Sequence, residues 1–213
     1  MRIVLDYGGT VVNRIDESEY SQALETDGEV PSAAYIAYKA ISLGILDTED
    51  EYIRTLSKLT GAPEEDCRSY LEKRRNAAVL PEERRRVIEE LAHEHSLVLF
   101  TDQVKVWIDR ALERLGIAEF FDDVIASSEL GDEKPHPKGY IRALDGYCAE
   151  GADANNVIMV SDELNADLLM ADYFGMTTVW VENDREDVYV EPDYAVDDLV
   201  EIDEIIEREK EKK

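Results

Sequence analysis

The chain has 213 residues, 44% of them hydrophobic and 8% aromatic, enough for one buried core with a modest insertion and too apolar for a disordered tail. Its 50 acidic and 23 basic side chains give a formal charge of −27, a field that repels phosphodiester backbones and anionic lipid, so no nucleic-acid or membrane partner is expected. Two cysteines, Cys67 and Cys148, are too few for a disulfide framework, and reduced thiols in a cytosol are the expectation.

Met1-Arg2-Ile3-Val4-Leu5-Asp6 carries an apolar stretch of three residues, too short for a signal-peptide core. No run approaches the roughly 18 apolar residues of a membrane span. A cytoplasmic location is expected. Lysines number only nine, three of them in the last four residues. Self-repulsion on this scale destabilises a compact chain unless salt screens it, so a salt-adapted cytosol and a merely acidic surface both stand as readings. A melting temperature indifferent to molar salt would remove the first.

In chain order, the first apolar run is Ile3-Val4-Leu5. Residues 16–79 follow with at least three helical segments and no convincing strand. One helix is predicted from Pro31 to Leu43 with Gly44 as its stop, and a second, capped by Asp47-Thr48-Glu49-Asp50, runs to Thr60-Gly61. A third opens at Pro63-Glu64-Glu65-Asp66, whose acidic first turn suits the helix dipole. Pro81 marks the return to the core. Helical patterns at about 81–95, 104–115, 137–149 and 164–174 then alternate with four apolar runs, at 97–100, 124–126, 157–160 and 177–181. The runs are continuous and rich in β-branched residues, the mark of strands buried on both faces of a parallel sheet. The expected fold is a doubly wound, Rossmann-like α/β sheet, residues 1–15 and 80–213, with residues 16–79 as a helical insertion. The charged run Glu207–Lys213 is expected to be a solvated or frayed helix end.

Ligands of an open parallel sheet bind beyond the carboxyl ends of its strands. There the sequence places Asp6-Tyr7-Gly8-Gly9-Thr10, Thr101-Asp102, Ser127-Ser128 followed by Gly131-Asp132-Glu133-Lys134-Pro135, and Ser161-Asp162-Glu163-Leu164-Asn165-Ala166-Asp167. Carboxylates are the hard oxygen ligands that Mg²⁺ requires, and one held beside Mg²⁺ and a lysine stays ionised and can act as a nucleophile. Taken singly, each has a plainer role, as turn residue, helix cap or surface loop. Their order, each beyond a different strand, is what points to a site.

That order resembles the haloacid dehalogenase superfamily, most of whose members are phosphatases, and the likeness covers most of the chain. Residues 3–10 look like its nucleophile loop, Leu97 to Thr101 like its second motif, Lys134-Pro135-His136-Pro137 like its lysine motif, and Val157 to Asp167 like its acidic motif. Residues 171–181 look like its usual continuation, and the insertion stands where the family carries a helical cap. The resemblance implies Asp6 as nucleophile, Thr101 as a hydrogen-bond donor to the phosphoryl group, and Lys134 as the charge that neutralises both. It implies Mg²⁺ on Asp6, the Gly8 carbonyl and Asp162, with Asp167 ordering that shell or the lysine. Gly9, Thr10 and Asp102 are the expected substrate-binding groups, and a small phosphorylated metabolite is the expected substrate.

One position departs from the family. The phosphatases carry a second aspartate two residues after the nucleophile as general acid and base, and here that place is Gly8. General acid–base help is worth ~10²–10⁴-fold, so poor leaving groups should turn over slowly unless Asp102, Glu163 or an acid of the insertion substitutes. Three further readings follow: a carbon–phosphorus hydrolase using Lys39 or Lys58 as a Schiff-base former, a metal-free dehalogenase with Tyr7 near the family's tyrosine position, and a protein that only binds a ligand or partner. Arg84-Arg85-Arg86 is expected to lie on a solvated helix face, and Tyr35, Tyr38, Tyr52 and Trp107 to be buried in the core of the insertion, with the lining of a substrate pocket between insertion and core as the alternative. The oligomeric state is not legible in the sequence.

Overall fold

The computed structural model describes residues 1–14, 24, 30–147, 153–182 and 190–212. Among these, six parallel strands form one sheet: β1 (Arg2–Leu5), β2 (Ser96–Thr101), β3 (Asp123–Ala126), β4 (Val157–Ser161), β5 (Thr177–Val181) and β6 (Tyr194–Val196), in the order β3-β2-β1-β4-β5-β6. The chain winds outward from β1 to β3, then returns to the other side of β1 with β4. The winding therefore reverses between β1 and β4, where a crevice opens at the strands' carboxyl ends.

Pleating sends alternate side chains to opposite faces. Ile3 and Leu5 meet Leu97, Leu99, Ile158, Val160, Val179 and Val181 on one face. There they are covered by α4 (Glu82–Glu94), α5 (Lys105–Leu115) and α9 (Ile202–Glu211). Val4 meets Val98, Phe100, Val157 and Met159 on the other, under α7 (Pro137–Leu144) and α8 (Leu169–Tyr173). A four-residue helix, α6 (Ser127–Leu130), follows β3 directly.

The insertion supplies α1 (Val30–Ser42), α2 (Glu49–Thr60) and α3 (Glu64–Asn76). Thr48 and Glu51 close a reciprocal capping box at the start of α2, and Gly61 ends that helix at φ 77°. The insertion's core of Ala37, Ile41, Tyr52, Leu56, Tyr70 and Leu71 is continuous with Val104 and Trp107 of the sheet domain. Polar ties reinforce it: Tyr38 Oη donates to the Asp102 carbonyl at 2.7 Å, and Ser42 Oγ and Lys39 Nζ both donate to Glu133.

Several expectations are corrected. β6 was not foreseen: it is three residues long, and its anchor is Asp193, whose carboxylate accepts from Thr178 N at 2.8 Å and Oγ1 at 3.0 Å. The 164–174 segment opens as a π-helical turn, Leu164–Leu168, before α8. The predicted 137–149 helix ends at Leu144, and its last two positions, Cys148 among them, lie outside the described residues. The charged C-terminal run is a solvated helix end as expected, helical through Glu211, except that Glu209 is buried and accepts from Tyr194 Oη at 2.5 Å and Lys212 Nζ at 2.6 Å. Arg84 and Arg85 are structural ties: Arg84 is buried against Asp198, and Arg85 donates to the Leu115 and Gly116 carbonyls at the end of α5, leaving only Arg86 on a solvated face. Tyr52 is buried as expected, whereas Tyr35 is 56% exposed, and Trp107 stands on α5 of the sheet domain.

Candidate active site

The site is assembled by ends of strands. The Asp6 amide continues the β1–β4 ladder, donating to the Val160 carbonyl at 3.0 Å, so its carboxylate leaves the sheet beside Ser161 and Asp162. Beyond it the chain turns back on itself: Val11 and Val12 both donate to the Tyr7 carbonyl, and Gly9 donates to Val12. Gly9 adopts φ 88°, and a Cβ there would lie 2.1 Å from Asp162 Oδ2. Only glycine fits, and its use brings the backbone of the Asp6 loop against the Asp162 carboxylate. Thr10, wholly buried, has no hydrogen-bond partner for its Oγ1 among the described residues.

Lys134 lies at the centre. Its Nζ donates to Asp6 Oδ1 and to Asp167 Oδ2, each at 2.5 Å, and its side chain is 4% exposed. Three neighbours hold this bridge. Asp102 Oδ1 accepts from the Lys134 amide at 2.8 Å, Ser161 Oγ donates to Asp167 Oδ2 at 2.8 Å, and Tyr140 Oη donates to the Asp167 carbonyl at 3.2 Å. Thr101, buried, ends β2 alongside.

The electrostatics follow from burial and crowding. Burial pushes the Asp6 carboxyl up to about 7; Lys134 opposes this, while Asp167 and Asp162 add to it. Burial alone would lower the Lys134 ammonium, but Asp167 and Asp6 hold it well above its ordinary value. Burial likewise raises Asp102 and Asp162, against Lys134 in the first case and Arg14 in the second. The lysine is thus a fixed cation among carboxylates, and Asp6 is a carboxylate short of water, whose charge rests on its partners.

For a divalent cation the candidate donors are two carboxylates, Asp6 and Asp162, and the Gly8 carbonyl. Among the described residues no group of three or more His, Cys, Asp and Glu side chains converges to hold a metal by itself. Mg²⁺ binds through one or two carboxylates and completes its shell with water and substrate phosphate. The glycine cradle against Asp162 is the feature that fits. Asp162 is not idle, however: Arg14 Nη2 and Nε donate to its Oδ2 at 2.5 and 3.1 Å, and Nη2 also reaches Glu163 at 2.6 Å.

Residues 2–175 match the family model of haloacid dehalogenase-like hydrolases. The chain belongs to this family. Among its curated relatives are a glyceraldehyde 3-phosphate phosphatase of Pyrococcus abyssi, 37% identical over 44% of this chain and 37% of that one, and a phosphoserine phosphatase of Thermus thermophilus, 31% identical over 72% and 63%. The chain therefore spans between about a third and two thirds of the length of these relatives. A haloacid dehalogenase family enzyme of Bacteroides thetaiotaomicron, solved as a variant with magnesium and inorganic phosphate, superposes with a TM-score of 0.70 at 14% identity, covering 88% of this chain and 96% of that one. Among the described residues no helix is long and apolar enough to cross a membrane.

Within this haloacid dehalogenase fold, the residues read from the sequence gather at one crevice. Asp102 accepts from the Lys134 amide through one carboxylate oxygen. Lys39 pairs with Glu133; burial would lower its ammonium, but that pair raises it, which leaves it charged and unsuited to forming a Schiff base. Lys58 is exposed on α2. Tyr7 turns its ring into the sheet's apolar cluster. Sequence reasoning missed Arg14, Ser161 and a cavity of about 250 Å³ beside Gly8. Ser161 was legible in principle, as the polar end of an apolar run. Arg14 carries no local signal, because its partners lie 148 and 149 residues away.

Proposed function

We propose that this chain is a Mg²⁺-dependent hydrolase of small phosphorylated metabolites, acting through a covalent intermediate on Asp6. The observation that carries the reading is the buried Lys134 bridge between Asp6 and Asp167 at the point where the sheet's winding reverses. The phosphatase relatives support it.

Asp6 attacks phosphorus, and the bond to the leaving oxygen breaks. Water then attacks the phosphorus of the aspartyl phosphate, freeing Asp6 and releasing inorganic phosphate. Lys134 neutralises negative charge on Asp6 and the phosphoryl oxygens, and Thr101, Gly9 and Thr10 border the place where those oxygens sit. Asp167, oriented by Ser161, holds the ammonium in place. Asp6, the Gly8 carbonyl and Asp162 would hold Mg²⁺, which supplies Lewis-acid stabilisation of the phosphoryl charge. The departing alkoxide finds no proton donor at position 8, so esters with poor leaving groups turn over slowly.

The test is hydrolysis of p-nitrophenyl phosphate in the presence and absence of Mg²⁺. Wild type should release phosphate only with Mg²⁺, and Asp6→Asn should be inactive while melting as a folded protein. Ligand binding without turnover across a panel of phosphate esters would leave a binding protein in its place.

A further inference from the structure

The side chain beneath the Lys134 ammonium is Phe100, the last apolar residue of β2. It is 1% exposed and lies with Val4 and Val98 on the face of the sheet covered by α7. Lys134 Nζ stands over its ring, 5.4 Å from the centroid. The face of an aromatic ring carries partial negative charge, so it attracts an ammonium, most strongly where water is excluded. Lys134, its side chain 4% exposed, meets that condition.

The surroundings are shaped around this ring. Gly139 lies within α7 although glycine is a poor helix former, and a Cβ there would stand 2.0 Å from Phe100 Cζ and 2.4 Å from Cε2. The helix thus lacks a side chain where the ring needs the space. Tyr140, the next residue, is wholly buried, and its ring meets that of Phe100 edge to face, with centroids 5.1 Å apart and planes at 79°. Its Oη donates to the Asp167 carbonyl at 3.2 Å, and Asp167 Oδ2 accepts from Lys134 Nζ at 2.5 Å. The contacts close a circuit from Lys134 through Phe100, Tyr140 and Asp167 back to Lys134. An ammonium has three N–H donors, and Asp6 and Asp167 take two of them. The ring fixes the same group from a side that offers charge but no hydrogen bond.

We propose that Phe100 and Tyr140 are positioning residues for Lys134: the Phe100 face holds the ammonium, and the Tyr140 hydroxyl holds its Asp167 partner. The inference rests on the phosphatase reading and deepens it. Stabilisation of a phosphoryl group by a fixed charge requires that the charge be in place before the reaction begins. An ammonium free to shift raises the barrier, which appears as a loss in kcat rather than in substrate binding.

The test separates the face of the ring from its bulk. Phe100→Leu keeps an apolar side chain and removes the face. Gly139→Ala alone drives a methyl group into the ring, but combined with Phe100→Leu it fills part of the space that leucine leaves. With p-nitrophenyl phosphate and Mg²⁺, Phe100→Leu should lose about tenfold or more in kcat while KM stays within about threefold. The double variant should melt above Phe100→Leu and remain as slow. Tyr140→Phe, which keeps the ring and loses one hydrogen bond, should lose about fivefold in kcat. Recovery of kcat along with melting temperature in the double variant, or a rise in KM at unchanged kcat, would show that Phe100 only fills space and would overturn the proposal. A second measurement is independent of activity. In urea unfolding, Phe100→Leu should cost less stability in a Lys134→Met background than in wild type, because the contact is already gone. Equal costs in the two backgrounds would overturn the proposal and leave the phosphatase reading standing. If wild type hydrolyses no p-nitrophenyl phosphate, the phosphatase reading falls, and the unfolding comparison still decides whether Phe100 holds Lys134.

Discussion

Replacing Gly8 by aspartate would restore the carboxyl that the family's phosphatases place two residues after the nucleophile. The structure permits it: Gly8 is not among the positive-φ glycines, and a Cβ built there meets no atom within 4 Å. Loss of glycine's freedom in the unfolded chain should stabilise by about 0.4–1 kcal/mol. Repulsion from Asp6 and Asp162 opposes this, by ~2 kcal/mol for each if the charges stand about 8 Å apart at an effective dielectric of 20, and so by ~4 kcal/mol together. Arg14, on the same cavity, offsets part of that cost. The net change is a destabilisation of about 1–3 kcal/mol, a fall of roughly 2–12 °C in melting temperature. The kinetic effect is larger. A positioned general acid is worth ~10²–10⁴-fold, and a carboxyl installed without evolved supporting contacts should reach the lower end, about 10²-fold, or ~3 kcal/mol of barrier. The gain should appear in kcat for glycerol 3-phosphate, whose alkoxide needs a proton. For p-nitrophenyl phosphate, whose phenolate leaves unaided, the change should stay within about threefold. Phosphate release measured on both substrates decides. Equal gains, or none, would refute the reasoning and show that another group already donates the proton; Glu163, on the same cavity wall, would then be the residue to replace.

Three further outcomes are expected. Arg14→Gln removes the guanidinium that holds Asp162, and hydrogen bonds to charged groups are worth roughly 1.5–3 kcal/mol, less where one partner is a third exposed, so Mg²⁺ should bind about tenfold more tightly by titration calorimetry; unchanged affinity would mean that the two cations do not compete. Gly9→Ala combines a left-handed backbone, about 1–2 kcal/mol, with a collision against Asp162 costing about 1–3 kcal/mol, so its melting temperature should fall by roughly 5–15 °C; a loss under about 2 °C would contradict the cradle. At Asp198, burial raises the carboxyl, but the bond from Arg84 outweighs it and holds the group below its ordinary value. A depressed carboxylate stabilises above its unfolded pKa, about 3.9, and loses that contribution as pH falls through the folded value. Asp198→Asn should therefore melt below wild type at pH 6, and the gap should close as pH falls below the unfolded value in thermal melts.

The site was legible because its parts obey local rules. Each of Asp6, Thr101, Asp162 and Lys134 follows an apolar run or its loop, and a parallel sheet brings all such ends to one edge. Ser161 was visible only as the last residue of a run, with nothing in the sequence to say that its hydroxyl would face Asp167 five residues past Asp162. β6 escaped because three residues with a single buried side chain leave no hydrophobic pattern to read. In the C-terminal charged run, a solvated helix end as expected, one residue departs for a related reason. Glu209 is buried only because Tyr194 and Lys212 meet it, and neither contact has a period in sequence.

By itself, then, the sequence determined the alternation of strand and helix, the parallel sheet, the helical insertion and which strand ends carry charge. Those features depend on hydrophobic runs and turn residues within a few positions of one another. Tertiary structure alone decided that Lys134 bridges Asp6 and Asp167, that Arg14 rests on Asp162, and that the Phe100 ring lies against Gly139 under the Lys134 ammonium. Such contacts join residues far apart in the chain, and a side chain's partner across that distance is set by how whole elements dock, which no local pattern encodes.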